Sequence, residues 1–170
     1  PAVAGLRVGG LDTLLALEIA PTDPAVMWTG SDDGLVHVTR DGGAHWSKVT
    51  PPGAPQWARV FKVGVSPFAA GTAYVAFDNH EMDDRKPYVY ATDDYGKSWR
   101  SIGKGLPDEA AVVVREDPNH KGLLVLGNMT GLWYSRDSGA HWQPFGAGFP
   151  TAPVFDLKFD HQALIVGTHG

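Results

Sequence analysis

"TRDGGAHW" (residues 39–46), "TDDYGKSW" (92–99) and "SRDSGAHW" (135–142) follow one pattern, Ser/Thr-x-Asp-x-Gly-x-x-Trp, called the octapeptide below. The tryptophans that close the three copies lie 53 and 43 residues apart. This spacing is close to the ~40–50 residues of a β-propeller blade with four strands. A unit that one chain repeats three times is either a catalytic part or a structural part, and its residue types decide between the two.

The sequence around the octapeptides predicts short β-strands. Apolar residues alternate with polar ones in short runs, Gly, Pro, Asp and Asn clusters separate the runs, and no helical stripe competes with them. We therefore expect an all-β fold: a partial β-propeller of about three and a half four-stranded antiparallel blades, with the octapeptide as the turn between strands three and four. The predicted blades cover approximately residues 11–52, 58–104 and 110–148, with a half-blade at 152–170 and all of residues 1–170 in one segment of a larger propeller. The remaining blades would then be partners from the same chain.

Composition excludes several classes of function. The net charge is −5 and basic residues do not cluster, which argues against a nucleic-acid surface. The chain has no cysteine, so thiolate metal sites are excluded, and we expect neither a metal nor a cofactor. No apolar run reaches the ~20 residues of a membrane-spanning helix.

Each octapeptide position has a reason in turn chemistry. The aspartate can accept hydrogen bonds from backbone N–H groups two residues further on, and the Ser/Thr hydroxyl can do the same. The glycine permits a backbone conformation that a side chain would obstruct, and the tryptophan buries a large ring while its indole N–H seeks a partner. His45 and His141 stand where the middle copy has Ser98, an exchange that a metal ligand or catalytic base would not tolerate. The residues predicted to be structural are Thr39, Asp41, Gly43, Trp46, Thr92, Asp94, Gly96, Trp99, Ser135, Asp137, Gly139 and Trp142.

The pattern resembles the Asp-box, or BNR repeat, of sialidases, xyloglucanase-type glycoside hydrolases, sortilin-like receptors and a photosystem assembly factor. The phrases that join the copies, such as "GTAYVAFDNHEMDDRKPYVYATDDYGKSW" (71–99) and "PVFDLKFDHQALIVGTHG" (153–170), are similar to large bacterial sortilin-type propeller proteins, over roughly residues 11–170. The resemblance implies that the octapeptide lies on the face away from the ligand. It also implies a secreted or cell-envelope protein whose propeller continues past the final "THG".

The opposite face of the predicted propeller is where a site is expected, since loops on a rigid scaffold usually carry function. It would display the loops between strands two and three and the links between blades. The ligand-face candidates are Asp32, Asp33, Trp57, Arg59, His80 and Arg85. The longest loop, "NHEMDDRK" (79–86), also offers Glu81, Asp83 and Asp84 as weak catalytic candidates. These carboxylates could serve glycoside hydrolysis or bind Ca²⁺, or they could form a solvated acidic loop without a specific role. The loop starts like a zinc-binding His-Glu-x-x-His motif, but Asp84 replaces the second histidine and the segment is predicted to be non-helical.

Two further alternatives stay open in the sequence. Glu18 and Arg115 share a register on the first strand of their units, so they could bind a polar ligand in the central channel or form a buried ion pair. Trp57 could stack on a sugar ring or pack beneath its own loop.

The sequence supports two main hypotheses. The first is a binding scaffold for a peptide, protein or glycan, because no complete catalytic constellation is visible. The second is part of a glycoside hydrolase, xyloglucanase-like or sialidase-like, that uses paired carboxylates. An assembly factor for a membrane complex is a third, by analogy alone.

Overall fold

The computed structural model describes residues 13–146, 148–149, 151–160 and 163–168. The first sheet contains β1 (Leu14–Ile19), β2 (Met27–Ser31), β3 (Val36–Thr39) and β4 (Ser47–Lys48). The second contains β5 (Val63–Val65), β6 (Ala73–Phe77), β7 (Tyr88–Thr92) and β8 (Arg100–Ser101). The third contains β9 (Ala111–Glu116), β10 (Leu124–Asn128), β11 (Gly131–Ser135) and β12 (Gln143–Pro144), and the fourth pairs β13 (Val154–Asp160) with β14 (Ala163–Thr168).

Every sheet is an antiparallel meander in which the strands pair in chain order. Three sheets of four strands and one of two strands confirm the predicted partial propeller of about three and a half blades. The octapeptides connect strands three and four of their sheets, as predicted.

One local prediction was wrong. The loop between β6 and β7 contains a 3₁₀ turn, His80–Met82, where the sequence predicted no helix. Short 3₁₀ turns of this kind are common connectors and leave little periodic signal in a sequence.

Consecutive sheets pack face to face through their inner strands, so that β1 contacts β5, β5 contacts β9, and β9 contacts β13. Large side chains such as Trp28, Phe77 and Leu126 are fully buried between the sheets. Gly64 of β5 lies directly against the carbonyl of Val114 of β9, in space that a side chain would fill. The close approach of these two strands therefore depends on glycine.

Arg115 connects all four sheets. From β9, its guanidinium donates to the carbonyl of Val63 on β5, to the carbonyl of Leu157 on β13 (3.3 Å) and to the Glu18 carboxylate on β1 (2.6 Å). The side chains of Glu18 and Arg115 are 35% and 18% exposed. Of the two alternatives for this pair, the structure shows the ion pair.

Candidate functional site

The three octapeptides form one hydrogen-bond arrangement. In the middle copy, the Thr92 hydroxyl donates to Asp94 Oδ1 (2.9 Å) and accepts the N–H of Gly96 (3.0 Å). Asp94 Oδ1 also accepts the N–H of Ser98 (2.9 Å), and Asp94 Oδ2 accepts the Ser98 hydroxyl (2.6 Å). The first and third copies repeat these contacts, with Nδ1 of His45 and of His141 in place of the Ser98 hydroxyl at the same 2.6 Å.

The reach of the aspartate differs from the prediction. The carboxylate accepts a hydrogen bond from the backbone N–H four residues further on, not two. The backbone N–H of the aspartate itself donates to the Ser/Thr hydroxyl two residues earlier. These hydrogen bonds favour the charged form of each carboxylate and so lower its pKa. The pKa of Asp94 falls to about 2, chiefly through the side chain of Ser98. The pKa of Asp41 also falls to about 2, chiefly through the backbone N–H of His45. The pKa of Asp137 is lowered as well, chiefly through the His141 side chain. All three carboxylates are thus engaged within their own turns.

The tryptophans of the second and third octapeptides join their sheets to the sheet before. The indole N–H of Trp99 donates to the carbonyl of Val49 (2.8 Å), and that of Trp142 donates to the carbonyl of Ile102 (2.6 Å). Both acceptors lie directly after the outer strand of the preceding sheet. The buried Nε1 of Trp46, in the first sheet, has no hydrogen-bond partner among the described residues.

The opposite face carries a cleft of about 340 Å³. It brings together six of the predicted candidates: Asp32, Asp33, Trp57, Arg59, His80 and Glu81. Three further residues line the cleft, Asp78, Asn79 and Met82, which belong to the long loop between β6 and β7 but were not among the predicted site residues. Arg85, Asp83 and Asp84 are in the same long loop but do not line this cleft.

Backbone contacts hold the link from the first sheet to the second against the long loop. Arg59 and Asp78 form an isolated antiparallel bridge with two hydrogen bonds of 2.9 Å, and the N–H of Val60 donates to the carbonyl of Ser31 (3.0 Å). Gly34 has a φ of +83° and lies so close to Ala58 that a Cβ would stand 2.8 Å from its carbonyl oxygen. These contacts fix the loop after β2, the link around Arg59 and the long loop after β6 relative to one another.

Trp57 stands at the rim of the cleft with 70% of its surface exposed. Its φ of +66° places it in the left-handed region, which costs a bulky residue about 1–3 kcal/mol and persists only where the surroundings enforce it. The alternative in which Trp57 packs beneath its own loop is wrong. Met82 is also 70% exposed, so the cleft has an apolar rim.

The floor of the cleft is polar. Nδ1 of His80 lies 2.7 Å from Oδ1 of Asp78, a carboxylate whose side chain is only 3% exposed. This contact orients the ring, so that Nε2 is the nitrogen left for other partners. Oδ1 of Asn79 is buried without a hydrogen-bond partner among the described residues. Asp78 and Asn79 follow a strand directly, and a polar pair at a strand end is the only signal that could have identified them.

The carboxylates of the cleft already accept hydrogen bonds from the chain. Asp32 accepts the N–H of Thr13 (2.7 Å), Asp33 accepts the hydroxyl of Ser31, and Glu81 forms an ion pair with Arg59 (2.6 Å). Each of these contacts engages one oxygen of its carboxylate, Oδ1 of Asp32 and Asp33 and Oε1 of Glu81.

The other loop candidates lie outside the cleft. Asp84 accepts the hydroxyl of Tyr88 (2.7 Å), a contact that lowers the pKa of Asp84 and raises that of Tyr88 to about 12. Asp83, with a φ of +59°, ends the 3₁₀ turn, and Arg85 lies 4.0 Å from Glu109 on the next link.

The described residues contain no group of three or more His, Cys, Asp or Glu side chains arranged to hold a metal ion. None of their helices is long and apolar enough to cross a membrane.

Comparison with known proteins supports the propeller fold. No protein-family model and no curated protein matches the sequence significantly. Among solved structures, "YCF48 bound to D1 peptide" is 18% identical, with a TM-score of 0.70 over 95% of this chain. A GH74 enzyme from Niastella koreensis is 17% identical, with a TM-score of 0.72 over 96% of this chain. The GH74 xyloglucanase from Xanthomonas campestris is 25% identical, with a TM-score of 0.66 over 85% of this chain. This chain spans 49%, 27% and 22% of those chains, respectively, which is half of the first and about a quarter of the enzymes.

Proposed function

We propose that this chain is a ligand-binding part of a β-propeller and that a peptide or glycan binds in the cleft around Trp57. The observation that carries the proposal is the Trp57 side chain, held in a strained backbone conformation and 70% exposed above a polar floor. A large exposed aromatic ring provides binding area at low cost in conformational entropy. A strained conformation that the fold enforces is often associated with function.

The polar floor supports a ligand with both donors and acceptors. Asn79 Oδ1 is buried without a partner among the described residues, so it would accept a hydrogen bond only from a ligand whose binding opens the floor of the cleft. Nε2 of His80 can offer a second contact at the same floor. The apolar rim and polar floor together suit a sugar ring or a peptide side chain, because each has an apolar face and polar edges.

The solved neighbours are compatible with both ligand classes. One is bound to a peptide, and others are enzymes of the GH74 class, one of them a xyloglucanase. Binding is proposed ahead of catalysis because Asp32, Asp33 and Glu81 each already have a hydrogen-bond partner within the chain.

A glycoside hydrolase is the second candidate, favoured by the grouping of Asp32, Asp33 and Glu81 around one cleft. In that case the chain would cleave a polysaccharide such as xyloglucan. Release of reducing ends that Glu81→Gln or Asp33→Asn abolishes would put the enzyme first. A secreted or cell-envelope location remains part of the proposal and rests on the family resemblance.

The binding proposal is tested by glycan and peptide arrays probed with the labelled chain. We expect hits that Trp57→Ala reduces by at least about tenfold in affinity, roughly the 1.4 kcal/mol of one aromatic contact. His45→Ala is the matched control, because His45 is exposed on the octapeptide face, and it should retain the hits. Hits that survive Trp57→Ala, or that His45→Ala abolishes, would contradict the proposal.

A further inference from the structure

The lining of the cleft around Trp57 carries an excess of negative charge. It contains one guanidinium, that of Arg59, against four carboxylates: those of Asp32, Asp33, Asp78 and Glu81. With the imidazole of His80 neutral, three negative charges are in excess, although the whole chain of 170 residues carries only −5. So concentrated a charge in one cleft attracts a cationic ligand and repels an anionic one.

Two of the four carboxylates already have a basic partner in the chain. Nη1 of Arg59 lies 2.6 Å from Oε1 of Glu81. Nδ1 of His80 lies 2.7 Å from Oδ1 of Asp78. Glu81 and Asp78 are therefore engaged with basic side chains, and the Arg59 contact shows that a guanidinium fits a carboxylate at this cleft.

Asp32 and Asp33 differ from these two residues. Within the described chain they form no ion pair, and their hydrogen-bond donors are neutral backbone N–H groups and one hydroxyl. The imidazole of His37, near Asp33, adds no positive charge, because burial lowers the pKa of His37 and leaves the ring neutral at pH 7. Both aspartates are half-buried, so salt screens their charges less than those of an open surface. A ligand in the cleft therefore meets two negative charges that are adjacent in the sequence.

The rim of the cleft suits the rest of a long basic side chain. The Trp57 ring and the Met82 side chain are each 70% exposed. The face of an indole attracts a cation, and a guanidinium can also stack on it. Met82 offers a flexible apolar surface for the aliphatic stem of such a side chain. A cleft of about 340 Å³ is at the small end of ligand pockets, which suits one inserted side chain better than a row of sugar rings.

Building on the proposed function, we infer that the ligand of this cleft is a peptide and that the cleft recognises an arginine side chain of that peptide. The guanidinium binds the carboxylates of Asp32 and Asp33, and its planar face lies against the Trp57 ring. Arginine is preferred over lysine, because a guanidinium can bond a carboxylate through two N–H groups and stack on an aromatic ring at the same time. A neutral glycan would leave the charges of both aspartates uncompensated.

The test uses two short peptides, each blocked at both ends, with glycines flanking a central arginine in one and a central citrulline in the other. Citrulline keeps the shape of the arginine side chain and removes its charge. In titrations of the ¹⁵N-labelled chain, we expect the arginine peptide to shift the amides of residues 31–34, 57–60 and 78–82. The citrulline peptide should bind at least about tenfold more weakly. Raising the NaCl concentration from about 50 mM to about 500 mM should weaken binding of the arginine peptide alone.

Variants of the chain locate the contact. Asp33→Asn keeps the oxygen that accepts the Ser31 hydroxyl but removes the charge, so it should weaken binding of the arginine peptide by about five- to tenfold. Trp57→Ala should weaken it by a similar factor. Asp83→Asn is the matched control, because it removes one charge from the same long loop outside the cleft, and asparagine tolerates the left-handed backbone there (φ +59°). This control should bind the arginine peptide as the unchanged chain does.

Three results would overturn the inference. The first is equal affinity for the arginine and citrulline peptides. The second is an affinity that Asp33→Asn leaves unchanged, or that Asp83→Asn lowers as much as Asp33→Asn does. The third is the absence of shifts up to about 10 mM arginine peptide. The proposed binding function is judged separately, because array hits that Trp57→Ala abolishes would support it even where the arginine preference fails.

Discussion

At the scale of single residues, the same tryptophan side chain has two environments. The indole N–H groups of Trp99 and Trp142 bond carbonyls of the preceding sheet, while that of Trp46 is buried without a partner in the described chain. Replacing tryptophan by phenylalanine removes the N–H and part of the ring at each site. The comparison therefore contrasts an N–H that bonds the preceding sheet with an N–H that is buried without a partner among the described residues.

We expect Trp99→Phe to lower the free energy of unfolding by about 1–3 kcal/mol more than Trp46→Phe, because it leaves the Val49 carbonyl unsatisfied. Urea denaturation of the two variants and the unchanged chain measures this difference. Equal losses would show that the inter-sheet hydrogen bond adds nothing to stability.

The octapeptide carboxylates predict a specific acid dependence. The pKa of Asp94 in the folded chain is about 2, below the ordinary value near 3.8, so its contribution to stability is complete above pH ~4 and is lost as the pH falls towards 2. Asp94→Asn should be less stable at pH 7 and should lose less stability between pH 4 and 2. Asp108→Asn, at an exposed carboxylate on a link, is the control for charge. An unchanged acid transition in Asp94→Asn would contradict this role, and urea titrations at a series of pH values provide the measurement.

At the scale of strands and sheets, the side chain of Arg115 links segments that lie far apart in the sequence. Its partners lie 42, 52 and 97 residues away, each in a different sheet. Removing the guanidinium leaves two carbonyls and the Glu18 carboxylate without their donor. We expect Arg115→Met to cost at least about 2 kcal/mol in the free energy of unfolding.

Lys62→Met is the matched control for Arg115→Met. Lys62 forms an ion pair with Asp156 (3.1 Å) in the cavity that Glu18 and Arg115 also line, but the side chains of Lys62 and Asp156 are 33% and 55% exposed. Such a pair contributes about 0–1 kcal/mol, so this variant should unfold near the unchanged chain. Similar losses in both variants would mean that Arg115 acts through general charge and not through its three partners.

At the scale of the whole molecule, periodicity and turn chemistry predicted most of the fold. The octapeptide spacing located the sheets, and the meander placed Asp32, Trp57 and His80 on one face. The sequence could not distinguish an exposed Trp57 from a packed one, because that depends on the bridge between Arg59 and Asp78. The loop of Asp78 and Asn79 was predicted to lie on this face, but only the fold shows that these two residues form the floor of the cleft.

The central claim is that the two faces of the molecule have different roles: the octapeptide face stabilises the sheets, and the Trp57 face binds the ligand. Chemical-shift mapping of the ¹⁵N-labelled chain with a ligand from the arrays tests this most directly. We predict shifts concentrated at residues 31–34, 57–60 and 78–82, with the octapeptides at 39–46, 92–99 and 135–142 unchanged. Shifts centred on the octapeptides, with the cleft unchanged, would contradict the claim.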